Sequence, residues 1–234
     1  AVLNGDDPRT RAMASLTDAP ALLYSAAGGP GADLVAEDVE VGDDLRARFV
    51  LRSPWGTTRV RLEARGAHQV GNALAAIAVG GVVGVGVEEA GGALESAVLS
   101  PYRMEVLTTP SGATLINDAY NANPTSMEAA LRALASLPAG RRIAVLGPMA
   151  ELGVEAAPEH RRMAALAAEL GVEVLAVGTA AYGVAPEERI EDVVDRLAVS
   201  GPGVAILVKG SRVAALERVA AGLAGGEREP GRPG

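Results

Sequence analysis

The strand-to-helix connection at residues 118–123 carries a cluster of polar side chains suited to binding a ligand. It reads Asp-Ala-Tyr-Asn-Ala-Asn, between an apolar strand and a helix with Asn123 as its predicted N-cap. The Asp118 carboxylate can accept hydrogen bonds from two hydroxyl groups, such as those of a ribose. Alternatively, it can cap nearby helix amides. Tyr120 and Asn121, like Asn123, offer donors for phosphate or carboxylate oxygens.

Two later loops also follow predicted buried strands. The loop at 147–153 contains Glu151, which either holds an ammonium group or is only solvated. The other begins at Lys209, the one lysine in the sequence, and continues to Ser211. With the N-terminus of the helix predicted over 213–223, this ammonium and hydroxyl would form an anion site. Because strand ends in an open α/β sheet share one edge, all three loops should border a single crevice.

Polar side chains also occupy the first turn of a helix predicted over residues 66–79. They are His68, Gln69 and Asn72. Such residues commonly cap a helix, whose first turn has N–H groups without intrahelical partners. Arg103, predicted to head a strand, is either a surface arginine on an edge strand or a ligand of a phosphate or ribose.

The order of predicted elements favours an α/β fold in two parts. Residues 34–62 contain three short alternating runs, which predict antiparallel strands with one solvated face. A hairpin at 103–116 then leads into alternating strands and helices, which predict a doubly wound, Rossmann-like parallel sheet. The predicted domains are residues 1–100 and 101–223, followed by a disordered tail at 224–234.

Several of these segments closely resemble the signature of the MurF family of Mur ligases. Residues 118–127 resemble its Asp-Ala-Tyr-Asn-Ala-Asn-Pro motif with Ser-Met after it, and residues 103–105 its Arg-Met-Glu segment. Residues 147–153 resemble its Gly-x-Met-x-Glu-Leu-Gly segment, and residues 209–211 its Lys-Gly-Ser segment. The helix turn resembles the superfamily's His-Asn-x-x-Asn motif, with Gln69 in place of the first asparagine.

The resemblance implies roles for individual residues. It implies nucleotide binding by His68, Gln69, Asn72, Arg103 and Asp118. The side-chain amides of Gln69 and Asn72 would hydrogen-bond to adenine, because a carboxamide can both donate and accept a hydrogen bond. It implies contacts with the amino substrate or with phosphate by Tyr120, Asn121, Asn123, Glu151, Lys209 and Ser211. No residue of this chain is expected to bind a metal ion. His160 lies at a spacing the family shows, without an assigned role.

The resemblance also implies an activity. A chain of this kind would be the rear part of a central ATPase domain, with a small antiparallel β portion, followed by a complete C-terminal domain. The implied enzyme adds D-alanyl-D-alanine to UDP-MurNAc-tripeptide through an acyl phosphate, in cytoplasmic peptidoglycan synthesis. It uses ATP and Mg²⁺, with magnesium ligands expected upstream of residue 1, and is expected to be a monomer. The alternatives are another amide ligase of the superfamily, MurE-like or folylpolyglutamate synthase-like, and a non-catalytic nucleotide- or peptide-binding module.

Composition excludes several other functions. The 234 residues contain no cysteine, so neither disulfides nor thiol chemistry are possible. The net charge of −8 and the absence of a basic run argue against nucleic-acid binding. No apolar stretch reaches the roughly 20 residues that cross a bilayer. The sequence also lacks a Gly-x-x-x-x-Gly-Lys-Ser/Thr phosphate loop, so we expect a fragment that is inactive alone.

Overall fold

The structure, a computed structural model, describes residues 1–225 and divides into two compact units. The first unit is Ala1–Leu99 and the second begins at Ser100. Each contains one five-stranded sheet. In the described part of the chain, no helix has the length and apolar character needed to span a membrane. Residues 226–234, which make up most of the predicted tail, lie outside the described residues.

The first unit contains a mixed sheet in which the spatial order of the strands follows their order in the chain. The strands are β1 (Val2–Asn4), β2 (Leu22–Ser25), β3 (Leu34–Val41), β4 (Arg46–Ser53) and β5 (Gly56–Arg65). The helices are α1 (Pro8–Ala12), α2 (Gln69–Val82) and α3 (Val87–Glu95). Strands β1 to β3 pair in parallel, whereas β3, β4 and β5 are antiparallel, as the alternating runs predict. The antiparallel strands thus extend the parallel part in one continuous sheet.

Small residues let α2 pack closely against its neighbours. Its buried face, which includes Leu74 and Ile77, joins a core cluster with Phe49 and Leu62 of the sheet. A Cβ atom on Gly81 would lie 2.4 Å from the ring of Trp55, so only glycine lets that ring rest on the helix. The helix begins at Gln69 rather than at residue 66, because the preceding residues form a turn.

The second unit is a doubly wound sheet in the order β6-β7-β10-β8-β9. The strands are β6 (Glu105–Thr108), β7 (Thr114–Asp118), β8 (Arg141–Leu146), β9 (Glu173–Ala176) and β10 (Val204–Lys209). The helices are α4 (Pro124–Ser136), α5 (Ala156–Glu169), α6 (Ile190–Leu197) and α7 (Glu217–Leu223). All strand pairs are parallel except β6 with β7. This confirms the predicted α/β fold class.

The two faces of this sheet are covered by different helices. Helices α6 and α7 share a core cluster with alternate strand residues such as Leu115, Val145 and Ile206. Helix α4 contacts α5 and lies against β8 and β10. Because successive side chains of a strand point to opposite faces, Ile116 and Leu207 face this second layer. Both layers are apolar, which holds the strand ends at fixed positions.

Two further predicted element boundaries are wrong, and both errors affect the site. Arg103 does not head a strand, because Tyr102 and Met104 on either side of it have left-handed φ values of 62° and 50°. The last helix does not begin at residue 213, because a 3₁₀ turn ends at Ala215, whose φ is 48°, and α7 starts at Glu217.

Candidate functional site

The loops after β7, β8 and β10 meet at one edge of the second sheet, as predicted. Strand β10 lies between β7 and β8, and its last residue Lys209 is in register with Asp118 on one side and Leu146 on the other. Parallel pairing therefore brings all three carboxyl ends together. Ligands of open α/β sheets usually bind at this edge.

A buried ion pair joins the first loop to the third. The Lys209 side chain is 2% exposed, and its Nζ donates to Asp118 Oδ2 at 2.6 Å and to the Asn121 carbonyl at 2.9 Å. Asp118 Oδ1 also accepts the backbone N–H of Met104 at 3.1 Å. The carboxylate is thus held from two sides, while its side chain keeps 13% exposure.

Ser211 links the third loop to both of the others. Its Oγ donates to the Ala122 carbonyl at 3.3 Å and accepts the Ala150 N–H at 2.9 Å. Its own N–H donates to the Pro148 carbonyl at 2.9 Å. The side chain is buried, at 4% exposure. Lys209 and Ser211 therefore position the loops, whereas the sequence predicts them as direct anion ligands, and a three-residue 3₁₀ turn replaces the predicted helix N-terminus.

Two glycines allow the second and third loops to approach each other. The Gly147 N–H donates to the Lys209 carbonyl at 2.9 Å. A Cβ atom on Gly210 would lie 3.0 Å from the Gly147 Cα and 3.2 Å from the Gly147 nitrogen. These contacts are with backbone, which cannot rotate away.

Replacing Gly210 with alanine is therefore expected to lower the free energy of unfolding by about 1–3 kcal/mol, as overpacking does. Chemical denaturation of the variant and the parent measures this change. Gly140→Ala in the same unit is the control, since its Cβ would meet only a carbonyl at 3.7 Å. Equal stability of both variants would contradict the close approach.

The second loop is held by His160 and Tyr182. His160 is 3% exposed; its Nε2 accepts the Met149 N–H at 2.9 Å and its Nδ1 lies 2.6 Å from the Ala156 carbonyl. Because Nε2 accepts, Nδ1 carries the proton and donates to the Ala156 carbonyl. The Tyr182 hydroxyl donates to the Gly147 carbonyl at 2.8 Å, and the two rings meet edge to face. Burial raises the pKa of Tyr182, so this donor stays protonated.

Arg103, Tyr120 and Arg212 form the exposed part of this edge. The Arg103 Cζ lies 4.1 Å from the centroid of the Tyr120 ring, and the Arg212 Cζ lies 5.6 Å from it. The Tyr120 N–H donates to the Tyr102 carbonyl at 3.1 Å, which ties the Arg103 segment to the first loop. Arg212 is not among the site residues predicted from the sequence, although it directly follows the Lys-Gly-Ser segment.

The remaining predicted residues of this unit differ in their surroundings. Asn123 is the N-cap of α4, as predicted, and its Oδ1 accepts the Ser126 N–H at 2.8 Å in a capping box. The Asn121 residue is exposed, although its carbonyl is used by Lys209. Glu151 is exposed and has a left-handed φ of 67°. Such backbone strain is concentrated at functional sites.

In the first unit, Gln69 and Asn72 form an amide pair at the start of α2. The Asn72 Nδ2 donates to Gln69 Oε1 at 2.8 Å. His68 is the N-cap residue but makes no side-chain cap hydrogen bond. A Cβ atom on Gly66 would lie 2.6 Å from the His68 ring, so this ring folds back over the glycine. The capping interpretation of His68 is therefore not supported.

Two carboxylates near the start of the chain stabilise loops. Asp7 caps α1 by accepting the N–H groups of Arg9 and Thr10. Asp6 accepts hydrogen bonds from the Ser25 hydroxyl and from the N–H groups of Ala26 and Ala27.

A groove of about 670 Å³ lies on the antiparallel strands of the first unit. None of the predicted site residues lines it.

A doubly wound domain with three joined polar loops at its carboxyl edge defines a Rossmann-like ligand-binding domain. The family described as "Mur ligase, glutamate ligase domain" matches residues 102–227. The chain belongs to the Mur ligase family, whose members are ATP-dependent amide-bond ligases.

Named relatives are similar over most of this chain. A UDP-N-acetylmuramoyl-tripeptide–D-alanyl-D-alanine ligase of Mycobacterium tuberculosis is 46% identical over 182 residues, covering 75% of this chain and 35% of that protein. The ligase of the same name from Escherichia coli is 30% identical, covering 95% and 51%. The crystal structure of MurF from Acinetobacter baumannii has a TM-score of 0.84 at 29% identity, covering 96% and 51%. The chain thus spans about half or less of the length of these relatives.

Proposed function

We propose that this chain is part of a cytoplasmic, monomeric ligase that joins D-alanyl-D-alanine to UDP-MurNAc-tripeptide in peptidoglycan synthesis. The observation that carries the proposal is the position of the loop at 118–123. Its carboxylate, phenol and amides lie at the carboxyl edge of the second sheet, next to the loops that follow β8 and β10. The relatives that share most of this chain carry that enzyme's name. ATP is the proposed energy source.

Nucleotide contacts are proposed for residues of each unit, taken separately. Asp118 is held by Lys209 and Met104, and its carboxylate, whose side chain keeps 13% exposure, suits ribose hydroxyls. Arg103 is exposed nearby and suits a phosphate. In the first unit, the hydrogen-bonded amides of Gln69 and Asn72 offer a donor and an acceptor to adenine, with His68 beside them.

The amino substrate is proposed to bind at the exposed part of the same edge. Glu151 provides a carboxylate for the substrate's ammonium group, and Tyr120, Asn121 and Asn123 provide polar contacts. Lys209 and Ser211 act indirectly, because both are buried and hold the loops in place.

The proposed reaction has two steps. The terminal carboxylate of the tripeptide attacks the γ-phosphorus of ATP, the bond to ADP breaks, and an acyl phosphate forms. The amine of D-alanyl-D-alanine then attacks the acyl carbon, loses a proton and displaces inorganic phosphate. Magnesium would stabilise charge on the transferring phosphoryl group. Among the residues that the structure describes, no group of three or more His, Asp or Glu side chains is placed to hold a metal ion.

A substrate panel tests this proposal. A full-length enzyme containing this chain is expected to release phosphate with UDP-MurNAc-tripeptide, ATP and D-alanyl-D-alanine together, and not when any one is omitted. The 234-residue chain alone is expected to show no turnover, since it lacks a phosphate loop. Turnover by this chain alone, or full-length activity confined to other substrates, would refute the proposal.

A second candidate is another amide ligase of the same family. A UDP-N-acetylmuramate–L-alanine ligase of Stenotrophomonas maltophilia is 40% identical over 150 residues, covering 62% of this chain and 31% of that protein. The same panel decides, because that activity would use UDP-MurNAc and L-alanine instead.

A further inference from the structure

Two arginines share one aromatic ring at the carboxyl edge of the second sheet. The Cζ atoms of Arg103 and Arg212 lie 4.1 Å and 5.6 Å from the centroid of Tyr120. Both arginines are exposed, and Tyr120 is 37% exposed. An aromatic ring attracts guanidinium groups and also restrains their orientation. The ring therefore holds two cations near one point of the surface.

Neither guanidinium forms an ion pair with a carboxylate anywhere in residues 1–225. Six other arginines of the same unit do so, namely Arg132, Arg141, Arg162, Arg189, Arg196 and Arg218. Two like charges that lie 4.1 Å and 5.6 Å from one ring centroid repel each other, and a bound anion lowers that repulsion. The arrangement is therefore suited to an anionic ligand.

The backbone fixes both arginines in place. Arg103 lies between Tyr102 and Met104, two non-glycine residues with left-handed φ values. The Met104 N–H is bound by the Asp118 carboxylate. Arg212 follows Ser211, which is hydrogen-bonded to both neighbouring loops. A site with its backbone already ordered loses less entropy when a ligand binds.

We propose that Arg212 and Arg103 form an oxyanion-binding pair on Tyr120, and that Arg212 takes the anion-binding role that the sequence predicts for Lys209. The inference rests on the proposed function, which supplies two oxyanions: the terminal carboxylate of the dipeptide and the phosphate groups of the nucleotide. A guanidinium binds either one through two parallel hydrogen bonds, which the single ammonium of a lysine cannot do.

Binding to this chain tests the proposal. NMR titrations with D-alanyl-D-alanine, ADP and inorganic phosphate follow the Nε–H signals of Arg103 and Arg212. Arg212→Gln is expected to weaken binding of one of these oxyanions about 10- to 100-fold, because a charge-assisted contact is lost. Arg212→Lys is expected to restore part of the affinity. Arg141→Gln removes an exposed arginine at the opposite end of the strands and should change affinity less than about 2-fold.

The amide of the dipeptide distinguishes the two sources of the oxyanion. If the carboxylate is the ligand, this amide binds weakly and equally to the parent and to Arg212→Gln, while ADP binding is unchanged. If a phosphate is the ligand, ADP and inorganic phosphate lose affinity and the dipeptide does not. Either pattern supports the oxyanion pair.

An equal loss of affinity in Arg212→Gln and Arg141→Gln would overturn the inference, as would an unchanged Arg212 signal with all three probes. Thermal melting of each variant shows whether it is folded. A full-length Arg212→Gln enzyme with parental KM and kcat would overturn the oxyanion pair but not the proposed ligase function. Oxyanion binding that depends on Arg212, in a full-length protein without ligase activity, would overturn the proposed function but not the oxyanion pair.

Discussion

Replacing Lys209 with methionine is expected to lower the free energy of unfolding by about 3–5 kcal/mol, the usual effect of breaking a buried ion pair. The substitution leaves the Asp118 carboxylate beside an apolar side chain and removes the donor to the Asn121 carbonyl. The loss should be measured by chemical denaturation, together with weaker nucleotide binding, because Asp118 is no longer held in place.

The double variant Lys209→Met with Asp118→Leu separates charge from packing. We expect it to be more stable than Lys209→Met alone, because no carboxylate then remains without its partner. Arg132→Met breaks an exposed ion pair with Glu128 and should change stability by less than about 1 kcal/mol. A Lys209→Met protein as stable as Arg132→Met would contradict the buried pair.

His160→Leu is expected to lower the free energy of unfolding by about 2–4 kcal/mol, since it leaves the buried Met149 N–H without its partner and removes the edge-to-face contact with Tyr182. It also removes the hydrogen bond to the half-buried Ala156 carbonyl. The loop at 147–153 should also become mobile, and faster hydrogen exchange of the Met149 amide measures this directly.

Arg161→Leu, at the adjacent exposed position of α5, is the control for His160. It changes the helix surface without touching the loop, so its stability should stay within about 0.5 kcal/mol of the parent. If the Met149 amide exchanges equally fast in both variants, His160 does not hold the loop.

The sequence predicted the topology of the site well, because that topology depends on simple periodic patterns. Alternating apolar strands and helices imply a parallel sheet, and parallel pairing places Asp118 and Lys209 side by side. The N-cap at Asn123 was also predictable, since a capping residue before proline is a local signal.

The roles of particular side chains were harder to predict, because they depend on burial and on local backbone angles. Lys209 stands out by composition, but its 2% exposure makes it a partner of Asp118 and not a surface ligand. The place of Arg103 depends on the φ values of Tyr102 and Met104, which are non-glycine residues and give no sequence signal. His160 and Tyr182 are far apart in the chain, and only the fold brings both to one loop.

The convergence of the three loops on one site is tested most directly by an NMR titration of this chain with ADP, followed at the backbone amides of Met104, Ala150 and Ser211. Each of these amides donates a hydrogen bond that joins two of the converging segments. If the three loops form one site, the three signals should move together and give a common dissociation constant. Signals that move with different dissociation constants, or that stay still while ADP shifts residues elsewhere, would contradict a single site formed by the three loops.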